Sequence, residues 1–151
     1  MKELVYVTYI RTTPEKVWEA IVSPEFTARY WGGNRNMSDW KPGSEWKHVG
    51  DEGEIYVIGE VIASEPPHLL ELTWSDPEQP GDRSRVAFEI EQIADLVRLR
   101  VRHDQFAAGS AMPDKVDHGW PLVLSSLKSC LETGQGIDVW APKPRCKRVA
   151  A

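Results

Sequence analysis

The sequence predicts an α+β fold in which a curved antiparallel sheet of six to seven strands wraps around one long C-terminal helix. Between Leu4 and Gln105 several short segments alternate apolar and polar residues, which is the period of strands with one buried face. From Gly119 to Gly134 apolar residues instead recur at helical spacing and form one stripe that needs a sheet to cover it. No linker or internal repeat interrupts the 151 residues, so one domain is expected.

The start of the chain combines a strand with two helix-start signals. Leu4–Arg11 is rich in β-branched and aromatic residues, which favour a first strand. Thr13-Pro14 and Ser23-Pro24 each place a capping hydroxyl before a proline at the first helical position. We therefore predict two short helices after strand one, the second ended by Gly32-Gly33.

Six further strands are predicted between residues 34 and 103. Asn34–Trp40 and a segment around Trp46–His48 form the second and third. Glu54–Ser64 forms the fourth. The sequence does not indicate which of its faces points inward, because both faces carry apolar residues. The prolines after Glu65 end that strand. The last three strands alternate clearly and lie at Leu70–Trp74, Arg85–Ile90 and Val97–His103.

Two polar features accompany these strands: a loop between the fifth and sixth strands, and charged residues on the outer face of the sixth and seventh. Ser75–Ser84 holds two prolines, a glycine and four charged residues and is predicted as a polar loop. Glu89 and Glu91 should face the arginines of strand seven and form cross-strand ion pairs on a wet sheet surface. An acidic-basic docking patch is the alternative for this surface.

The C-terminal helix is expected to run from about Pro113 to Thr133. Pro121 should bend it, because proline inside a helix removes a hydrogen bond and clashes with the preceding turn. Gly134 is suited to the left-handed position that ends a helix. A bend at Pro121 would set the width of any entrance beside Trp120.

Composition and charge exclude several classes of protein. Hydrophobic residues make up 41% and charged residues 27%, which is typical of an ordinary soluble protein. A net charge of −5 argues against a general nucleic-acid surface. No apolar run reaches the length of a signal-peptide core or a membrane span, and Cys130 and Cys146 lack a Cys-x-x-Cys pattern. We expect a cytoplasmic domain over residues 1–136 and a flexible basic tail over residues 137–151.

Four fragments carry a resemblance to a known family. They are Thr-Pro-Glu-Lys-Val-Trp-Glu-Ala at residues 13–20, Tyr30-Trp31-Gly32, the Glu-Pro-Pro to Thr-Trp stretch at residues 65–74, and residues 119–134. In this order they resemble the bacterial branch of the Hsp90-ATPase-activator-like proteins, in the START-like (Bet v 1-like, SRPBCC) helix-grip superfamily. The resemblance implies a β-α-α-β-β-β-β-β-β-α order with a cavity between sheet and C-terminal helix. The superfamily includes carriers, cyclases and a co-chaperone, so its fold does not define one function.

The candidate ligand-binding residues are the large inward-facing side chains of the sheet and the helix. Several indole and imidazole rings would line an apolar cavity and present a few polar tips to a ligand. The alternative is that they only fill the core. The candidate set is Trp31, Trp46, His48, Trp74, Phe88, His103, Trp120, Leu124 and Leu127.

Metal, cofactor and catalytic motifs are not predicted. The four histidines and two cysteines lack metal-ligand spacing, and no nucleotide-binding or nucleophile motif is present. We expect no cofactor and assign no catalytic residue.

Three functions follow from the sequence as hypotheses. The first is binding of a small hydrophobic ligand, aromatic or lipid-like, as a carrier, sensor or stress-response protein. The second is a co-chaperone-like interaction with an Hsp90-type ATPase. The third is a pocket enzyme of the cyclase or hydrolase type, which would need His103 paired with a carboxylate. The ligand's identity and the oligomeric state stay open.

Overall fold

The computed structural model describes residues 2–138 and residue 140. Ten elements follow one another within these residues, and the last is the longest helix. They are β1 (Leu4–Ile10), α1 (Pro14–Val22), α2 (Pro24–Tyr30), β2 (Arg35–Ser38), β3 (Glu45–Val49), β4 (Ile55–Glu65), β5 (Leu69–Asp76), β6 (Gln79–Ile93), β7 (Leu96–Asp104) and α3 (Met112–Thr133).

The seven strands form one antiparallel sheet in the order β1-β7-β6-β5-β4-β3-β2. This arrangement confirms the predicted α+β helix-grip architecture and the order of its elements. The predicted loop at Ser75–Ser84 is wrong, because β5 continues to Asp76 and β6 begins at Gln79. Ser75 pairs with Arg83 across this hairpin. The hairpin carries polar residues because its tip extends beyond the apolar core, so the sequence shows no strand alternation there.

The predicted helix boundaries have the expected caps. The Oγ1 atom of Thr13 accepts a hydrogen bond from the backbone N–H of Lys16 at 3.3 Å, which caps α1. Ser23 caps α2 in the same way through the N–H of Phe26 at 3.3 Å. At the end of α3, Gly134 has a φ of 90°, the left-handed conformation that favours glycine.

The inward face of β4 is the one that carries Val57 and Val61. Both side chains are buried, whereas Ile55, Tyr56 and Ile62 are exposed. A bulge between Val61 and Ala63 shifts the register near the end of β4. Buried and exposed apolar residues share this strand, so both of its faces carry apolar side chains. The sequence pattern could not separate the two faces for that reason.

Gly59 on β4 allows the side chain of Trp46 on β3 to lie across β4 and reach β5. A Cβ at this position would lie 2.0 Å from the carbonyl O of Thr73 and 2.3 Å from Nε1 of Trp46. The missing side chain leaves room for the Trp46 indole, which donates a hydrogen bond to the carbonyl O of Thr73 at 2.7 Å. Glycine is therefore required here by close approach.

The outer face of the sheet carries the predicted ion pairs. Glu89 accepts hydrogen bonds from Arg100 at 2.9 Å and from Arg102 at 3.0 Å. Glu91 pairs with Arg98. These cross-strand pairs confirm the expected wet surface, and each contributes little stability because solvent screens it.

Helix α3 packs over the inward face and reaches the edge strand β1. The Nζ group of Lys128 donates to the carbonyl O of Tyr9, and Glu132 accepts the backbone N–H of Arg11 at 2.8 Å. These side chains cover backbone groups that an edge strand otherwise leaves unpaired.

The remaining expectations concern the membrane and the tail. In the part of the chain that the structure describes, no helix is both long and apolar enough to cross a membrane. Most of the predicted tail over residues 137–151 lies outside the described residues, including its basic side chains and Cys146. Cys130 is a buried free thiol in α3.

Candidate ligand-binding cavity

A cavity of about 300 Å³ lies between the sheet and the first half of α3. This volume is at the lower end of the range for small-molecule sites. Strands β4 to β6 form one wall, α3 forms the opposite wall, and two tryptophans from other segments close the remaining side. The lining comprises Trp31, Tyr56, Val57, Trp74, Asp76, Gln79, Asp82, Ala111, Met112, Lys115, Val116, Gly119, Trp120, Val123 and Trp140.

The helix wall is one stripe of α3. Met112, Val116, Gly119 and Val123 follow one another at intervals of four, three and four residues, which places them on one face. Gly119 leaves open space on this face, because an added Cβ would meet no atom within 4 Å. The lack of a side chain at Gly119 therefore enlarges the cavity.

Three of the nine predicted site residues line the cavity, namely Trp31, Trp74 and Trp120. The ring centroid of Trp120 lies 5.8 Å from that of Trp31 and 5.5 Å from that of Trp74, with tilted or edge-on geometry. Aromatic rings prefer such arrangements to flat stacking. The three rings thus form a concave aromatic surface at the centre of the lining.

The other six predicted residues lie in the packed core behind that surface. The ring of Trp46 is 5.4 Å from that of Trp74, and the ring of Phe88 is 5.9 Å from that of Trp120. The six are buried and support the lining from behind: Trp46, His48, Phe88, His103, Leu124 and Leu127.

His103 is fully buried and connects the helix wall to the sheet. Its Nδ1 atom accepts a hydrogen bond from the indole Nε1–H of Trp120 at 3.1 Å. Because an indole can only donate, the histidine proton is on Nε2, which lies 2.7 Å from the Oγ of Ser84. The hydroxyl of Ser84 can in turn donate to the carbonyl O of Trp74 at 3.2 Å. This chain of hydrogen bonds anchors the Trp120 indole to the backbone of β5 at Trp74.

The surroundings of His103 keep it neutral. Burial lowers the pKa of His103 from 6.5 to about 3, because the imidazolium form would be desolvated. The third functional hypothesis needs His103 paired with a carboxylate, but its two ring nitrogens pair with Trp120 and Ser84 instead. In this arrangement His103 positions the cavity wall.

His48 has a similar structural environment. Its Nδ1 lies 2.7 Å from the Oδ1 of Asn36, and its Nε2 lies 3.1 Å from the Nδ2 of Asn34. The amide of Asn36 also donates to the carbonyl O of Ile21 at 2.9 Å, so this network ties β2 and β3 to α1. Burial lowers the pKa of His48 to about 4. The ring packs 4.5 Å from that of Trp31 and supports it.

Several lining residues lie at positions for which the sequence predicts no inward side chain. Asp76, Gln79 and Asp82 belong to the hairpin that was predicted as a loop, so no inward position was assigned to them. The sequence of this hairpin has no alternation of apolar and polar residues that could have indicated which side chains face inward. Tyr56 is half exposed and belongs to the strand whose inward face was left open.

Trp140 belongs to the predicted tail, but it contributes to the cavity. The segment after α3 is held at Ile137, whose backbone N–H donates to the buried Oγ of Ser126 at 2.8 Å. The Trp140 ring then packs against Gly32, where an added Cβ would lie 3.2 Å from it. A tryptophan at this position extends the aromatic lining toward solvent.

The described residues contain no group of three or more side chains that could hold a metal ion. Aromatic rings, aliphatic groups and a small number of polar side chains line the cavity.

Many solved structures share this fold, including the following three. The Aha1 dimer from Colwellia psychrerythraea has a TM-score of 0.75 at 21% identity, covering 90% of this chain and 100% of that one. A protein from Mesorhizobium loti has a TM-score of 0.74 at 25% identity, covering 86% and 96%. An HSP90 activator from Plasmodium falciparum has a TM-score of 0.68 at 18% identity, covering 78% and 86%.

Sequence comparison identifies the family. A search of curated protein sequences finds no significant match. A model of the family described as activator of Hsp90 ATPase homolog 1-like protein matches residues 11–132. This match extends from the end of β1 to the last turn of α3 and includes both short helices and six of the strands. The chain therefore belongs to the activator of Hsp90 ATPase homolog 1-like family.

Proposed function

We propose that this protein binds a small hydrophobic ligand, aromatic or lipid-like, in the cavity between sheet and α3. The observation that supports it is the cavity of about 300 Å³ with Trp31, Trp74 and Trp120 around it. A ligand there would transfer apolar surface from water, which contributes roughly 25 cal/mol per Å² buried. In this role the protein acts as a cytoplasmic carrier, sensor or stress-response protein.

The proposal is supported by the rigidity of the aromatic wall. Trp120 is only 3% exposed and is anchored by its hydrogen bond to His103. Trp31 packs between the rings of His48 and Trp120 at 4.5 and 5.8 Å. Side chains that are already ordered lose little entropy when a ligand binds, so a preformed wall favours binding.

A fluorescence titration tests this function. The probe is 1-naphthalenemethanol, a neutral bicyclic aromatic, and the readout is quenching of tryptophan emission in the wild type and in Gly119→Leu. The leucine side chain would extend into the open space at Gly119 and occupy the cavity. We expect saturable binding by the wild type and at least about tenfold weaker binding by the variant, from the lost burial of the probe.

Ser125→Leu is the matched control, because Ser125 is exposed on α3 and does not line the cavity. It adds the same side chain to the same helix and should leave the dissociation constant unchanged. Equal binding by the wild type and Gly119→Leu would place the probe elsewhere and refute the proposal.

A second function is an interaction with an Hsp90-type ATPase, and the observation in its favour is the family match over residues 11–132. The test is ATP turnover by a purified Hsp90-type chaperone, with and without this protein. Stimulation that saturates with protein concentration supports this function. Unchanged turnover, together with no binding in a sedimentation assay, would exclude it.

A further inference from the structure

We propose that the cavity selects an organic cation, namely an ammonium group attached to an apolar body. The inference rests on the proposed function, since it names the chemical class of the ligand for the same cavity. It combines two features of the lining: aromatic rings on several sides, and two carboxylates from the β5–β6 hairpin.

The carboxylates are Asp76 at the end of β5 and Asp82 near the start of β6, and both are partly buried. The Oδ2 of Asp82 accepts a hydrogen bond from the Oγ of Ser110 at 2.7 Å. Its Oδ1 is buried and has no partner among the described residues. A buried acceptor without a donor is costly, and a donor brought by a ligand would remove that cost once the carboxylate turns toward the cavity.

Asp76 contributes a second anionic group to the same lining. Its Oδ1 accepts the backbone N–H of Glu78 at 2.8 Å, which fixes the carboxylate at the hairpin turn. A charged donor such as an ammonium forms shorter and stronger hydrogen bonds to carboxylates than a neutral donor does. Two carboxylates on one wall therefore favour a cationic head group.

The aromatic rings favour the same charge. Trp31, Tyr56, Trp74, Trp120 and Trp140 all contribute to the lining. The face of an aromatic ring carries negative potential and attracts a cation within about 6 Å of the ring centroid. Rings on several sides of one cavity can thus stabilise an ammonium group while they bury the apolar part of the same ligand.

The distribution of the other polar groups opposes an anionic ligand. Lys115 is the single cationic side chain of the lining within the described residues, and it is exposed. His48 and His103 are neutral, and each ring nitrogen already has a partner. A carboxylate ligand would therefore meet two like charges and one screened ammonium group.

Three probes that share one ring system test the inference. They are 1-naphthylmethylamine, which is cationic at neutral pH, the neutral 1-naphthalenemethanol, and the anionic 1-naphthoate. Isothermal titration calorimetry at low ionic strength gives the three dissociation constants for the wild-type protein. We expect the amine to bind about tenfold tighter than the alcohol and the naphthoate to bind weakest, from hydrogen bonds to a charged group.

Asparagine variants locate the source of the preference. Asp82→Asn and Asp76→Asn should each reduce the amine's advantage over the alcohol severalfold and leave the affinity for the alcohol unchanged. Asp95→Asn is the control, since Asp95 follows the other end of the long strand β6 and lies far from the cavity. Circular dichroism checks that each variant folds. If Asp82→Asn does not fold, the affinities of Asp76→Asn decide whether the carboxylates cause the preference for the amine.

The possible outcomes separate this inference from the proposed function. Equal affinities for amine and alcohol, or tightest binding of naphthoate, would overturn the cation preference while saturable binding of the alcohol still supports a ligand cavity. An amine preference that survives both cavity variants would also overturn it. If none of the three probes binds, the proposed function itself fails and this inference with it.

Discussion

The indole Nε1–H of Trp120 donates a hydrogen bond to Nδ1 of His103 over 3.1 Å. This contact joins the helix wall of the cavity to β7, the strand next to the edge strand β1. It also sets the histidine tautomer, because the proton on Nε2 then points to the Oγ of Ser84 at 2.7 Å. The shape of the cavity thus depends on a buried polar chain that an apolar residue could not replace.

Removing the hydroxyl at the end of this chain should destabilise the protein. In Ser84→Ala the Nε2–H of His103 loses its acceptor inside the core, which costs about 1–3 kcal/mol in free energy of unfolding. Urea denaturation measures the change, and Ser125→Ala at an exposed position of α3 serves as the control. A Ser84→Ala protein as stable as the control would show that the hydrogen-bonded chain does not stabilise the core.

The two buried histidines should make stability depend on pH. Their neutral forms stabilise the fold in full above the unfolded pKa of 6.5, and folding lowers that pKa to about 4 for His48 and about 3 for His103. As pH falls below 6.5, the unfolded chain binds protons that the folded chain does not, so stability decreases. Each histidine contributes about 1.4 kcal/mol per pH unit within its window.

Urea denaturation at pH 7 and pH 5 should therefore differ by about 4 kcal/mol in unfolding free energy. His103→Gln should reduce this difference by about half, whereas His68→Gln at an exposed position should leave it unchanged. The same pH dependence in all three proteins would argue against burial of neutral His103.

Gly59→Ala should be strongly destabilising. The new Cβ would lie 2.0 Å from the carbonyl O of Thr73, which is backbone within a sheet and cannot move away without breaking strand pairing. We expect a loss of about 3 kcal/mol or more from overpacking. Gly81→Ala is the control because its Cβ would meet nothing within 4 Å. Thermal unfolding compares the two, and similar melting temperatures would contradict the close approach at Gly59.

Gly119→Ala should instead stabilise the fold. Gly119 lies inside α3, where alanine is favoured over glycine by roughly 0.5–1 kcal/mol, and its added Cβ has open space. A higher urea midpoint with an unchanged slope is the expected result. A lower midpoint would contradict the open space at Gly119, because it would mean that the added methyl group meets other atoms.

The fold was predictable because its signals are local. Thr13, Ser23 and Gly134 sit at helix ends whose capping chemistry is set by neighbouring residues, and all three occupy the predicted positions. The hairpin at Ser75–Ser84 was not predicted, because a strand that extends past the core has no apolar alternation.

The site was less predictable because it depends on packing between distant segments. Periodicity indicates that Trp46 and Trp74 both face inward. It does not indicate that the cavity borders Trp74 and not Trp46. That space is determined by Gly119 on the helix and by Trp140 folding back onto Gly32. The local sequence pattern indicates neither the open space at Gly119 nor the packing of Trp140 on Gly32.

The indole N–H signals in a ¹H–¹⁵N spectrum test the central claim most directly. The sequence holds seven tryptophans, and each can be assigned by a single Trp→Phe variant. With saturating 1-naphthalenemethanol, the signals of Trp31, Trp74 and Trp120 should shift, while those of Trp18 and Trp40, which do not line the cavity, should stay. Shifts confined to Trp18 or Trp40, or no shift of the three lining indoles at saturation, would contradict a ligand site between the sheet and α3.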